Sequence, residues 1–255
     1  MSSMPSFSIT PNILLAAFAV LVVLRAILSL TPVVARSQGR STHFAREGID
    51  PFIYAAGAAW LLTMFVARTY YIPSGSMIPT LQVNDVLIVD KFEYRFHAPH
   101  EGDIVVFPPP IPTPDDFIKR VIGLPGDTFA ISHGVVIRNG VPMTEPYIAQ
   151  KPNYDLQIRD YGIYERDPMF DKTWRRLTPE EANIPPRAMW TAPNRIPPHC
   201  YFMMGDNRND SEDSHAWGFA QDGGVFATGP RAGKHAGFTG RAVVIFWPVS
   251  HFRIL

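Results

Sequence analysis

The sequence predicts a mainly β fold: two N-terminal transmembrane helices, then an all-β domain with a smaller inserted lobe. Two apolar segments lie before residue 68, whereas short apolar runs alternate with Gly, Pro, Asn and Asp clusters after it. The chain holds 25 prolines, and proline is excluded from helix interiors and central strands. Short strands, edges and turns are therefore expected to make up most of the second part.

The two apolar segments, residues 13–34 and 51–67, are predicted membrane spans. A spanning helix needs about 20 mostly apolar residues. Arg25 carries a cost inside the first segment, which snorkelling would reduce. Either segment could instead be a buried core helix, and the first could be a cleaved signal peptide. Residues 1–11 lack Lys and Arg, which argues against the signal peptide.

The predicted loop between the spans, residues 36–50, contains Arg36, Arg40 and Arg46. Because positively charged loops stay on the cytoplasmic side, this loop is predicted to be cytoplasmic. Residues 1–67 then form a membrane anchor, and residues 68–255 form a domain on the opposite side of the membrane.

Six apolar runs of the second part predict strands, since they are short and bounded by turn residues. They are residues 86–89, 104–107, 117–122, 135–137, 201–204 and 242–247. Asn139-Gly140 is a hairpin signal. Residues 145–198 have more charge and proline and no clear strand rhythm, so they predict an insertion or second small lobe.

The bulk composition excludes some classes of protein. Basic and acidic residues balance at 23 each, which gives no support for a nucleic-acid partner. Cys200 is the single cysteine, so no intramolecular disulfide can form.

A serine bracketed by Gly and Pro follows the second apolar segment, in the stretch from Ile72 to Thr80. Ser76 on such a constrained loop could expose its hydroxyl as a nucleophile. The same residues are also ordinary turn formers, so the loop by itself leaves both interpretations open.

A serine nucleophile needs a base, and two candidates stand out. His215 lies beside Asp213 and Ser214, which leaves a Ser-His-Asp triad possible. Strand alternation places Lys119 on the same face as Phe117 and Val121. Burial there would lower the lysine pKa, as a neutral lysine base requires. The opposite register, with Lys119 facing solvent, stays open at this point.

Three stretches occur in order: Ser74-Gly75-Ser76-Met77-x-Pro79-Thr80, Lys119 to Asp127, and Gly205 to Ser214. In this order after a membrane segment they resemble the sequence boxes of bacterial type I signal peptidases, the S26-type Ser/Lys-dyad leader peptidases. The resemblance spans residues 72–219. It implies a signal-peptidase-like β fold and a serine endopeptidase that cleaves N-terminal signal peptides from exported preproteins.

The resemblance also assigns roles. Ser76 would be the nucleophile and Lys119 the general base, with Ser74 and the Ser76 N–H as the oxyanion hole. Ser211 would orient Lys119, and Asp213 would support the site. The residues expected to bind the small substrate side chains at positions −1 and −3 are Tyr70, Ile72, Leu81, Phe117 and Ile118.

No metal or cofactor is implied. The implied partners are preprotein signal peptides, the lipid bilayer and the export translocon. The implied location is the bacterial inner membrane, with the catalytic domain on the periplasmic side.

One residue departs from the family pattern: His215 stands where arginine is common and pairs with the preceding aspartate. This departure leaves the strength of the Asp213 pair undecided, because histidine is only partly charged near neutral pH. Two other functions also remain possible. One is a specialised Ser/Lys processing peptidase of a secretion or conjugation system, and the other is a non-catalytic peptide-binding membrane protein.

Overall fold

A computed structural model describes residues 11–30, 40–65, 67–167, 169, 173–179, 181–222 and 237–255. The chain divides into two compact units, Met1–Thr69 and Tyr70–Leu255. The first unit is helical and the second is built mainly of β-strands, which confirms the predicted mainly β class.

The first unit contains helix α1, Pro11–Leu30, and helix α2, Arg40–Phe65. Arg25 of α1 makes an ion pair with Asp50 of α2, so this arginine has a carboxylate partner. Across the part of the chain that the structure describes, none of the helices combines the length and apolarity of a membrane span.

The predicted loop 36–50 is wrong from Arg40 onward, because α2 begins there and continues through Pro51. A proline removes only one backbone N–H donor, and here the helix continues past it. Residues 31–34 of the first predicted span, residues 36–39 of the loop and residue 66 of the second span lie outside the described residues.

The strands are numbered here in chain order. They are β1 (Ala67–Tyr71), β2 (Val86–Asp90), β3 (Ile104–Phe107), β4 (Phe117–Gly123), β5 (Phe129–Ser132), β6 (Val135–Arg138), β7 (Val141–Pro142), β8 (Asp155–Arg159), β9 (Gly162–Arg166), β10 (Arg175–Arg176), β11 (Cys200–Met204), β12 (Ala220–Gln221), β13 (Gly240–Trp247) and β14 (Arg253–Ile254). A short helix α3, Ser214–Trp217, follows β11. All six predicted strands are confirmed.

The first sheet has the order β1-β2-β13-β3-β4-β11-β12, with β14 paired to β13. Strand β4 lies between β3 and β11, both antiparallel to it. Its central position buries the second half of β4 completely. A side chain on β4 is therefore attached to a rigid backbone that is paired with a strand on each side.

The second sheet has the order β10-β9-β8-β5-β6-β7. Residues 145–198, which showed no clear strand rhythm in the sequence, contribute β8, β9 and β10 to this sheet beside β5. The alternation exists but is short: Leu156 and Ile158 are buried, whereas Gln157 and Arg159 are only partly buried. The β8–β9 turn is Asp160-Tyr161, both at positive φ (49° and 59°), without the glycine that usually marks such a turn.

By contrast, the hairpin predicted at Asn139-Gly140 is confirmed. Both residues have positive φ, 53° and 78°, and β6 pairs with β7 across the turn.

Candidate active site

The loop that carries Ser76 spans residues 72–85 and is called here the Ser76 loop. Its ends are joined by two backbone hydrogen bonds: Ile72 N donates to Asp85 O (2.9 Å), and Asn84 N donates to Ile72 O (2.9 Å). Met77 and Leu81 are buried at 2% and 0% exposure. The apolar side chains therefore fix the loop to the core, while Ser76 stays partly exposed.

Lys119 reaches Ser76 from strand β4. Its Nζ donates a hydrogen bond to Ser76 Oγ at 2.9 Å, across 43 positions of sequence. The Phe117 ring centroid lies 5.2 Å from the Nζ, and Lys119 is 5% exposed. The predicted apolar face around Lys119 is thus present. Of the two candidate bases, Lys119 and His215, it is Lys119 that contacts Ser76 Oγ.

The surroundings of Lys119 act on its charge in two directions. Burial is the stronger influence and lowers the pKa of Lys119 below its ordinary value. The carboxylates of Asp213 and Glu212 favour the charged form and oppose this shift. The result is an amine with a lowered pKa at hydrogen-bond distance from a serine hydroxyl.

The stretch 205–213 holds the tip of the Ser76 loop. Asn207 donates twice, from its backbone N to Ser76 O (3.1 Å) and from its side chain to Gly75 O (3.1 Å). A Cβ at Gly205 would overlap Ser76 O and Ser211 Oγ, so only glycine fits there. The close approach of these two segments fixes the position of Ser76.

Asp213 is fully buried beside this contact. Its Oδ2 accepts the Gly205 N–H (3.0 Å), and its Oδ1 lies 2.7 Å from His215 Nδ1. Burial works against both charges, but the pairing outweighs it: the pKa of Asp213 is lowered and that of His215 is raised. The His215 ring also stacks on Tyr154, with centroids 4.7 Å apart.

Two further predicted site residues, Ser211 and Ser74, differ in their surroundings. Ser211 Oγ is buried and has no hydrogen-bond partner in the described part of the chain, so the predicted contact to Lys119 is not formed here. Ser74 is exposed and lines the same cleft as Ser76.

A cleft of about 460 Å³ opens over Ser76 and Lys119. Four of the five predicted substrate-binding residues line it: Tyr70, Ile72, Phe117 and Ile118. The prediction that Leu81 binds substrate is wrong, because Leu81 is fully buried and packs with Ile72 and Met77 instead. Its position one helical turn after Met77 turns it toward the core, where Leu81 N donates to Met77 O.

Comparison with known proteins decides the family. A profile described as "Signal peptidase, peptidase S26" matches residues 45–247. The chain belongs to the peptidase S26 signal peptidase family. The predicted serine endopeptidase of signal peptidase type is thereby confirmed.

Several family members are similar over most of their length. A signal peptidase I of Leptolyngbya laminosa is 37% identical over 85% of this chain and 86% of its own. A probable signal peptidase I-1 of Synechocystis sp. is 39% identical over 69% of this chain and 76% of its own. A signal peptidase I of Bacillus caldolyticus is 32% identical over 67% and 81%.

The signal peptidase cleft has an acidic rim that sequence reasoning missed. The carboxylates of Asp115, Asp116, Asp210 and Glu212 line it, and Tyr70 OH donates to Asp116 Oδ2 (3.1 Å). Asp115 and Asp116 directly precede β4, the strand that carries Lys119. Their nearness to Lys119 in the sequence is the signal that could have predicted their place at the cleft.

Two buried ion pairs beneath the site were also missed. Arg120 pairs with Asp206 through two hydrogen bonds (2.8 and 2.6 Å), and Arg208 pairs with Glu145 likewise (3.0 and 2.6 Å). The centroid of the Tyr147 ring lies 4.0 Å from the Arg120 guanidinium and 6.0 Å from that of Arg208. Strand alternation places the side chain of Arg120 on the face of β4 opposite to that of Lys119. A buried arginine needs a carboxylate partner, which is the signal that the sequence offered.

No group of three or more His, Cys, Asp and Glu side chains is arranged to hold a metal ion within the described ranges.

Proposed function

We propose that this chain removes signal peptides from exported preproteins with Ser76 as nucleophile and Lys119 as general base. The observation that carries the proposal is the 2.9 Å contact between Lys119 Nζ and Ser76 Oγ, made by a lysine whose pKa burial lowers. A serine hydroxyl attacks only when a base takes its proton, and a lysine serves only in its neutral form.

In the proposed mechanism, Lys119 accepts the Ser76 proton as Oγ attacks the scissile carbonyl. The Ser76 N–H and the Ser74 hydroxyl donate to the developing oxyanion, where one such donor contributes about 3 kcal/mol in serine hydrolases. Lys119 then gives the proton to the leaving amine, and water hydrolyses the acyl-enzyme. Ser211 would hold the amine once substrate enters, and Asp213 would support the site from behind.

The cleft favours an extended peptide with small side chains. Tyr70, Ile72, Phe117 and Ile118 present apolar surface beside the two serines. Such a lining accepts alanine at positions −1 and −3 and rejects larger side chains sterically.

We further propose that residues 13–34 and 51–67 anchor the chain in a membrane, with residues 68–255 outside the cytoplasm. Members of the signal peptidase I family are typically membrane-anchored, which supports this placement, as does the apolar sequence of α1. Large apolar side chains are also exposed at the end of strand β13 and in the residues that follow it. They are Trp247, Val249, Phe252 and Ile254. Contact with the export translocon would follow from this location.

The test is cleavage of a purified preprotein by the full-length chain in detergent. We expect Ser76→Ala and Lys119→Ala each to lose turnover while the protein stays folded, as judged by circular dichroism. Lys119→Arg should be equally inactive, since arginine does not deprotonate at usable pH. Near-normal cleavage by either alanine variant would contradict the proposed dyad.

A further inference from the structure

The base of the Ser76 loop depends on one buried carboxylate. Asp85 is 1% exposed, and its Oδ2 accepts the Gln82 N–H at 2.8 Å. The backbone of Asp85 also closes the loop by accepting the Ile72 N–H. Its other carboxylate oxygen, Oδ1, lies 2.8 Å from Nδ1 of His251, which is distant in sequence.

His251 belongs to a segment called here the strap, residues 248–255. The strap reverses direction after β13, with His251 N donating to Pro248 O (2.8 Å) and Phe252 N donating to Val249 O (3.2 Å). It then pairs with β13 through β14. The backbone of the strap is therefore held by the sheet, independently of the Ser76 loop.

Alternate residues of the strap contact the Ser76 loop. His251 meets Asp85, Arg253 donates from its guanidinium to Thr80 O (2.6 Å), and Leu255 packs against the buried cluster that includes Leu81. The intervening Phe252 and Ile254 are 62% and 75% exposed. One side of the strap thus holds the loop, and the other side faces away from it.

We propose that the strap positions Ser76, with His251 acting as a positioning residue through Asp85. The inference rests on the proposed roles of Ser76 and Lys119. Asn207 holds the tip of the loop, whereas the strap holds its base. Without the imidazole, one oxygen of a buried carboxylate loses its partner, and such groups move to find another or to reach water.

A shift of Asp85 would pass directly to Ile72, because the two residues share the hydrogen bond that closes the loop. Ser76 follows four positions later and must remain within hydrogen-bond distance of Lys119. Misplacing a catalytic group by 1 Å can cost about 10²-fold in rate. A partial release of the loop is expected to cost about 10-fold.

The experiment compares His251→Ala, His251→Asn and a matched control, His199→Ala, in the full-length chain in detergent. Asparagine places an amide donor near the position of Nδ1. His199 makes a similar contact, Nδ1 to Asp222 Oδ1 at 3.0 Å, but outside the Ser76 loop. For each variant, kcat and KM are measured with a peptide carrying alanine at positions −1 and −3, together with the thermal midpoint.

We expect kcat to fall about 10-fold in His251→Ala with little change in KM, because no strap residue lines the cleft. Most of the rate should return in His251→Asn, and His199→Ala should keep its kcat even where its thermal midpoint falls. Unchanged kcat in His251→Ala, no recovery with asparagine, or an equal loss in His199→Ala would each overturn the proposal.

Two further variants keep the test decisive. If His251→Ala does not fold, Arg253→Gln takes its place, and a kcat equal to that of the unchanged chain would overturn the role of the strap. Ser76→Ala, measured in parallel, separates the two hypotheses: an active Ser76→Ala refutes the proposed function itself, whereas an inactive one leaves the strap to be judged by its own variants.

Discussion

At the level of single residues, the charge on Lys119 depends on a balance between burial and nearby carboxylates. Because burial lowers its pKa, the neutral amine becomes the main form at a lower pH than in solution. The rate of a lysine-based reaction should therefore rise as pH increases through this lowered pKa. A change in the charge near Asp213 should therefore shift the pH at which the rate rises.

His215 controls the charge near Asp213. Its pKa is raised although burial opposes the shift, because Asp213, Glu165 of β9 and Glu212 all favour the imidazolium. Tyr154 covers one face of the ring. A protonated His215 balances Asp213 and so reduces the pull of that carboxylate on Lys119.

We predict that His215→Gln moves the acid limb of the kcat/KM profile to higher pH, while His215→Arg does not. In His215→Gln the charge of Asp213 acts undiminished on Lys119 and raises its pKa. A merely structural loss would lower the rate at every pH instead. The prediction is contradicted if the glutamine variant and the unchanged chain rise at the same pH.

The same substitution has a second, thermodynamic signature. A histidine whose pKa is raised on folding contributes stability that is fully present below its unfolded value of about 6.5. That contribution is lost as pH rises through the raised folded pKa. In urea unfolding, the free energy of unfolding of His215→Gln should therefore lie furthest below that of the unchanged chain in mild acid. Breaking a buried ion pair costs about 3 kcal/mol. The difference in free energy of unfolding between His215→Gln and the unchanged chain should become smaller at alkaline pH.

At the level of elements, the two buried arginine–carboxylate pairs connect parts that the sequence keeps apart. Arg120 joins β4 to the stretch after β11, and Arg208 joins that stretch to Glu145. The position of Ser76 relative to Lys119 therefore depends on three segments that are held together by charge.

We predict that Glu145→Ala destabilises the chain by about 3 to 5 kcal/mol, because it leaves the fully buried Arg208 without its carboxylate. The measurement is urea unfolding followed by tryptophan fluorescence. The matched control is Glu181→Ala, which breaks a 3.0 Å pair with Arg175 that is exposed on both sides. The control should change stability little, and an equal effect of the two variants would show that burial is not the cause.

At the level of the whole molecule, the proposed arrangement across the membrane can be tested through the single cysteine. Cys200 is buried, and burial raises the pKa of its thiol to about 12, so the native chain should not react with a thiol reagent. We predict that an impermeant maleimide added to intact cells labels Lys151→Cys but not Ser41→Cys. Permeabilised cells should label both, and labelling of Ser41→Cys in intact cells would contradict the proposed orientation.

The local patterns of the sequence determined a large part of this protein. Short apolar runs bounded by turn residues gave β2, β3 and β4, and alternation gave the apolar face around Lys119. Asn139-Gly140 gave a hairpin, because side-chain period and turn chemistry act between near neighbours. The order of the three boxes gave the family. The β8–β9 hairpin escaped because its turn lacks glycine.

The tertiary structure alone decided how distant segments meet. It turned Leu81 into the core, left Ser211 Oγ without a partner in the described residues, and paired Arg208 with Glu145 across 63 positions of sequence. It also brought His251 to Asp85, 166 positions away. The physical reason is that a buried charge must find its counter-charge wherever the folded chain places one, and spacing along the chain does not reveal that place.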